Sequence, residues 1–296
     1  MLTELHNKGG SLCEPARQGK LRCPLLVRST SEDVITGELI QVLRALNPRW
    51  WLPDLLNAAL GAERFPQQVY RKLRIEPWVN HRPYPKELLP WTEGSTQVDV
   101  EISWENPPTT VFIEAKYQSD LGKTTSNSGE QSEYPTDQLI RNVRVGLYQC
   151  GYFDRDCLFE TAPRDFAVIL LSPAPNSYLV RRYRNEGRLL KSIPYSHRLQ
   201  GLPRFPFVGE VGYAQINQLL RRRSRFFTRA ERELIRHLTT YLDFKRETMR
   251  PKSTYLQDLK LRKAGGDGSG MEDSSYRKEP DNGQQERSTD QERPSP

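Results

Sequence analysis

Cysteine, histidine and methionine are all scarce in this 296-residue chain, with four, four and three copies. Cys13, Cys23, Cys150 and Cys157 form no CxxC pair and no disulfide framework, which excludes a zinc ribbon, a dithiol redox motif and a disulfide-stapled scaffold. His6 lies near Cys13 and Cys23, but without the tight paired spacing of zinc ligands. The other histidines, His81, His197 and His237, form no cluster, so surface or packing roles are expected for all four. No apolar run approaches the roughly 20 residues of a membrane span. The start, "MLTELHNKGG", lacks the apolar core of a signal peptide. The expectation is a cytoplasmic protein with no membrane contact. No Gly-rich phosphate loop is present either, so a helicase or NTP-driven activity has no motif to rest on.

What the chain does have is charge. Hydrophobic residues make up 36% and charged residues 27%, enough for one sizeable core with a small appendage. The formal net charge is +7, unevenly spread. From Gly265 onward eight acids face four bases, so the remainder carries about +11. A basic body with an acidic tail suggests a polyanionic partner, nucleic acid first. The sequence leaves a homodimer or another protein partner open. Composition divides the chain into a loosely structured arm (1–33), a domain (34–263) and a tail (264–296) too poor in apolar residues to fold.

Periodicity supplies the elements. "VITGELIQVLRALNP" places Leu39, Val42, Leu43 and Leu46 at helical spacing and stops at Asn47-Pro48. "WWLPDLLNAALG" reads as a second helix ending at Gly61, with Trp50 and Trp51 as packing residues. "QVYRKLRIEPWV" reads as a strand. "QSDLGKTTSNSGEQSEYPTD" is a long polar loop. "TDQLIRNVRVGLYQCG" buries Leu139, Ile140, Val143 and Leu147, with Gln138, Arg141 and Asn142 on an adjacent face. "DFAVILLS" suits a strand buried on both sides. "YAQINQLLRRRSRFF" and "TRAERELIRHLTTYL" are basic amphipathic helices, the second with Thr228 and Glu231 at capping-box spacing. The domain therefore has a core at 34–172 and a C-terminal helical part at 207–263.

"VDVEISWENPPTTVFIEAKYQ", Val98 to Gln118, carries the chemistry. It is two strands around Pro107-Pro108. Alternation puts Asp99, Glu101 and Ser103 on one face of the first strand, and Phe112, Glu114 and Lys116 on one face of the second. Closing the hairpin about Asn106-Pro107 sets Asp99 opposite Glu114, with Cβ atoms roughly 4.5–5.5 Å apart. Two carboxylates that close repel unless a cation stands between them, and a divalent ion flanked by Lys116 would serve. A slip of one residue would send the acids to opposite faces. The competing reading is a solvated strand face with an ordinary Glu-Lys couple.

The order helix, three strands, helix, strand, with Asp99 on one strand and Glu114-Ala115-Lys116 on the next, resembles the PD-(D/E)XK nucleases, over roughly Val34 to Ser172. The resemblance implies an α/β restriction-endonuclease-like αβββαβ core with a mixed sheet flanked by helices. It implies a Mg²⁺-dependent nuclease, with Mn²⁺ as substitute, acting on nucleic acid, DNA ahead of RNA, in restriction, phage defence or repair. Asp99, Glu114 and the Ala115 carbonyl would be metal ligands. Lys116 would act on the attacking water. Glu38 matches the glutamate such enzymes often carry on the first helix, and would join the metal site. Gln138 matches the glutamine of the RecB- and Cas4-like branch. Val98 replaces the motif's proline, and Asn142 stands where that branch has tyrosine. Arg141 and the run Arg221, Arg222, Arg223 would contact phosphates. The alternative is a catalytically silent member that binds nucleic acid or scaffolds a complex.

Overall fold

Thr96–Glu105 buries every second residue, and Thr109–Ala115 is buried throughout. The first pattern belongs to a strand with one covered face, the second to a strand in the middle of a sheet. The computed structural model describes residues 32–66, 69–82, 88–91, 93–117, 121, 134–154 and 162–248. In them an α/β architecture is built on a five-stranded mixed open sheet. The strands are β1 (Arg71–His81), β2 (Thr96–Glu105), β3 (Thr109–Ala115), β4 (Asp165–Ser172) and β5 (Val208–Gly212), ordered β1-β2-β3-β4-β5. The first three run antiparallel; β4 and β5 join as parallel strands.

The β2–β3 pairing runs from Trp104↔Thr109 to Val100↔Ile113. That is the register expected from the hairpin argument, and the pairing stops one step short of Asp99 and Glu114. Helix α1 (Glu32–Ala45) is followed by a 3₁₀ turn at Pro48–Trp50 and by α2 (Leu52–Leu60). Gly61, at φ 67°, takes the left-handed conformation that ends α2. Helix α3 (Gln138–Gln149) starts at Asp137, whose carboxylate accepts the Ile140 N–H at 3.0 Å. Short helices α4 (Tyr178–Tyr183) and α5 (Glu186–Leu190) precede β5, and α6 (Tyr213–Arg223) and α7 (Arg229–Thr248) close the domain.

Alternation sorts the sheet's two faces. Trp104 meets Phe65 and Tyr70 on the side of α1 and α2. Phe112 and Phe166 pack at 5.2 Å on the side of α3. β4 supplies Phe166 through Leu171, all buried, at about 1.5–3 kcal/mol for each large side chain.

The sequence boundaries shift in two places. The first helix already includes Glu32 and Asp33, which composition had assigned to the arm. The C-terminal part begins with β5, not with a helix, so it completes the sheet. Most of the polar loop after Tyr117 and the whole tail from 264 lie outside the described residues, as do His6, Cys13 and Cys23.

Candidate active site

The β2–β3 ladder ends at Val100↔Ile113, and the strands part there. The freed Ala115 N–H donates to the Asp99 carboxylate at 2.8 Å. On its other side β3 remains paired with β4 as far as Ala115↔Leu171, and the Lys116 N–H donates to the Leu171 carbonyl at 2.7 Å. The end of β3 is thus anchored by β4 and open toward β2. Into that opening alternation sends Asp99, Glu114 and Lys116 from one face.

Three elements close around them. Lys116 Nζ lies 2.7 Å from Glu114 Oε1 and 3.4 Å from Glu32 Oε1. The other oxygen of Glu32 accepts the Tyr117 N–H at 2.8 Å, so the first turn of α1 is tied to the end of β3. From α3, Asn142 Nδ2 donates to Glu114 Oε2 at 2.8 Å. Tyr213, the first residue of α6, packs its ring 6.0 Å from that of Tyr117. Glu114 and Lys116 are buried, 2% and 8% exposed.

Three carboxylates share one ammonium in this space. The consequence falls on Asp99. Burial, then the charge of Glu114, push its carboxyl up to about 8, against the pull of Lys116 and of the Ala115 N–H. Burial also acts against a charged Lys116, but Glu114, Glu32 and Asp99 together outweigh it and hold the ammonium above the ordinary lysine range. Burial and the nearby Glu32 keep the Tyr213 phenol neutral, raised well above its usual value.

The structure brings Asp99, Glu114, Ala115 and Lys116 together. Glu38 stands half-buried on α1, six residues past Glu32, so about 9 Å along the helix and about 120° around it. The acid of α1 that reaches the lysine is Glu32. Gln138 opens α3, its N–H on the Leu121 carbonyl at 3.3 Å. It is Asn142, one turn further, that grips Glu114. Arg141 donates to the carbonyls of Gly94 and Ser95 at 2.6 and 3.0 Å, which fastens the segment before β2 onto α3. Arg221 pairs with Asp243 at 2.6 Å, and Arg223 holds Asp54 through two bonds of 2.5 and 2.9 Å. Arg222 is exposed. Glu32, Asn142 and Tyr213 are the residues sequence reasoning missed. The i, i+4 spacing from Gln138 pointed to Asn142; nothing local pointed to Tyr213.

Among the described residues, no three His, Cys, Asp or Glu side chains converge closely enough to hold a metal ion by themselves. The donors that do converge are two hard carboxylates beside an uncompensated negative charge. That set suits a divalent ion that keeps most of its waters, as Mg²⁺ does, and not a zinc ion needing four protein ligands. No family model, no curated protein and no solved structure matches the chain.

Proposed function

We propose that the protein is a Mg²⁺-dependent nuclease of the PD-(D/E)XK type, with DNA as substrate. The observation that carries this reading is the meeting of Asp99, Glu114 and Lys116 where the β2–β3 ladder opens. In its support, the element order α1-α2-β1-β2-β3-α3-β4 contains the helix, three strands, helix, strand succession of that core, with α2 inserted before β1. In this reading Asp99, Glu114 and the Ala115 carbonyl would hold the ion. Mg²⁺ held there would polarise the phosphoryl group and make water a better nucleophile. Lys116, kept cationic by its carboxylate neighbours, donates hydrogen bonds to the attacking water or to the phosphoryl oxygens. Glu32 holds the lysine in place, and Asn142 fixes the rotamer of Glu114. Restriction, phage defence and repair are the processes such an activity serves.

One observation favours a second reading. Both oxygens of Glu114 are already engaged, by Lys116 and by Asn142. A catalytically silent member would keep that network as a structural ion pair and bind nucleic acid without cutting it. Incubation of the full chain with plasmid, linear and single-stranded DNA, in Mg²⁺, Mn²⁺ or chelator, separates the two. Cleavage is expected in either metal and in neither chelator nor the Asp99→Asn variant. Full cleavage in chelator or by that variant sinks the nuclease reading; DNA binding with no cleavage in any metal establishes the silent one.

A further inference from the structure

A second concave site lies further along the face of β2 that carries Asp99. Asp99 is followed on that face by Glu101, Ser103 and Glu105, so the new site begins about 7 Å along the strand. Between these residues, β1 and the C-terminal end of α3 is a cavity of about 400 Å³. Known small-ligand pockets are roughly 300–1,000 Å³. Its walls are chiefly charged and hydroxyl-bearing, which argues against an apolar ligand.

The sign of its charge follows from the pairings. Of its two acids, Glu105 pairs with Arg164 at 2.9 Å, and Glu101 lies 2.9 Å from His81, an ion pair only when the imidazole is protonated. Arg164 also donates to Thr110 Oγ1 and to the carbonyls of Trp104 and Thr109. Four of its five N–H groups are thereby used, which fixes the guanidinium in the wall with one donor to spare. Lys72 and Arg74 line the same cavity and have no ion-pair partner among the described residues. The cavity's three cations therefore outnumber its two acids by one, and the two on β1 are exposed. In a concavity such an excess concentrates anions.

The backbone adds an independent sign. The β1–β2 register shifts between Arg71 and Arg74, and Lys72 sits there at φ 52°, in the left-handed region that a lysine rarely adopts. A bulge of this kind re-aims a side chain, and strained non-glycine residues gather at ligand sites. Beyond the cations, the His81 ring lines the same cavity, backed at 4.8 Å by the buried ring of Phe112.

We propose that this cavity binds a terminal phosphate group carried on a nucleoside, with Lys72, Arg74 and Arg164 on the phosphate and His81 beside the base or sugar. A free nucleotide and the 5′ end of a polynucleotide share that chemistry. The site does not depend on a metal or on Asp99, so it stands apart from the nuclease reading.

The test is calorimetry on the full chain in chelator, with four probes: a nucleoside, its 5′-monophosphate, and a short single-stranded oligonucleotide with a 5′-phosphate or a 5′-hydroxyl. Binding of the monophosphate but not the nucleoside is expected, at one per chain. If the phosphorylated oligonucleotide binds more tightly than the monophosphate, the natural ligand is a polynucleotide end; if not, it is a free nucleotide. Lys72→Ser with Arg74→Ser should weaken binding roughly tenfold to hundredfold, as loss of two charge-assisted contacts implies. Asp99→Asn should leave binding unchanged. Equal binding of nucleoside and monophosphate, equal binding of the two oligonucleotides with none of the monophosphate, or an unaffected double variant overturns the proposal.

Discussion

Asp99 concentrates the energetic conflict of the candidate site in one carboxyl group. An unfolded aspartate titrates near 4, whereas in the fold the group is raised to about 8 by burial and Glu114. Between those values the native state holds a proton that the unfolded state has released. Stability then falls as pH rises across that window and levels off above it. The metal-free protein should accordingly melt higher at pH 5 than at pH 8.5, and Asp99→Asn should lose much of that slope. An ion binding the deprotonated carboxylates reverses the trend, so added Ca²⁺ should raise the melting temperature at pH 8.5 far more than at pH 5. Melting curves of both proteins with and without Ca²⁺ decide it; identical pH slopes in wild type and variant would remove Asp99 from the conflict. Lys116 points the same way mechanistically. Held as an ammonium by Glu114, Glu32 and Asp99, in the proposed reaction it would act as a donor and not as the base that deprotonates water. Lys116→Ala should lower the single-turnover cleavage rate by at least about a hundredfold while Ca²⁺-supported DNA affinity changes by less than about 1 kcal/mol, the signature of a contact made in the transition state. A wild-type rate in that variant would show the lysine to be structural.

Elements with strong periodicity were legible, and those without it were not. Leu39, Val42, Leu43 and Leu46 announced α1, and the unbroken apolar run Phe166 to Leu171 announced β4. The hairpin register was readable because alternation on both sides of Pro107 and Pro108 leaves few ways to pair the strands. β5 was missed because "VGEVG" is short and two of its five residues are glycine, which have no side chain to show a pattern. Yet glycine is what the position demands. A Cβ built on Gly209 would stand 2.4 Å from the Ala59 carbonyl oxygen, since α2 crosses β5 there with its backbone almost in contact. Neither partner can rotate away, as a side chain could. Gly209→Ala should therefore separate α2 from the sheet and destabilise the domain by at least about 1–3 kcal/mol, the usual range for overpacking. Urea unfolding monitored by tryptophan fluorescence measures it; an unchanged midpoint would mean that α2 is free to slide. The candidate site was half legible for a related reason. Strand alternation gives Asp99, Glu114 and Lys116 from local pattern, whereas Glu32 and Tyr213 arrive from elements whose placement only the tertiary fold decides.

At the scale of the whole molecule, the basic excess divides into charges that hold the fold and charges left exposed. The run Arg221, Arg222, Arg223 looks uniform in sequence but sits on a helix, where successive residues point about 100° apart. Arg223 turns inward to clamp Asp54 on α2 through two bonds, and Arg221 bridges to Asp243 on α7, so both tie α6 to neighbouring helices. Arg222 projects outward. The acidic segment from Gly265 opposes such outward cations electrostatically, because its net charge is opposite to that of the remainder. Two consequences can be measured together. Arg223→Ala should lower stability by about 0.5–1 kcal/mol, the modest value of a partly exposed pair, and leave the salt dependence of DNA binding unchanged. Arg222→Ala should do the opposite, leaving the melting temperature alone while flattening the plot of log affinity against log salt by up to about 0.9, the contribution of one phosphate contact. Truncation before Gly265 should tighten binding at low salt, since removing a net negative segment leaves the basic body less opposed. A salt series on the three variants and wild type, with melting curves alongside, separates the two kinds of arginine. If Arg222→Ala keeps the full salt slope while Arg223→Ala reduces it, α6 meets DNA through the face that the fold now turns toward α2, and the assignment of structural and binding charges must be exchanged.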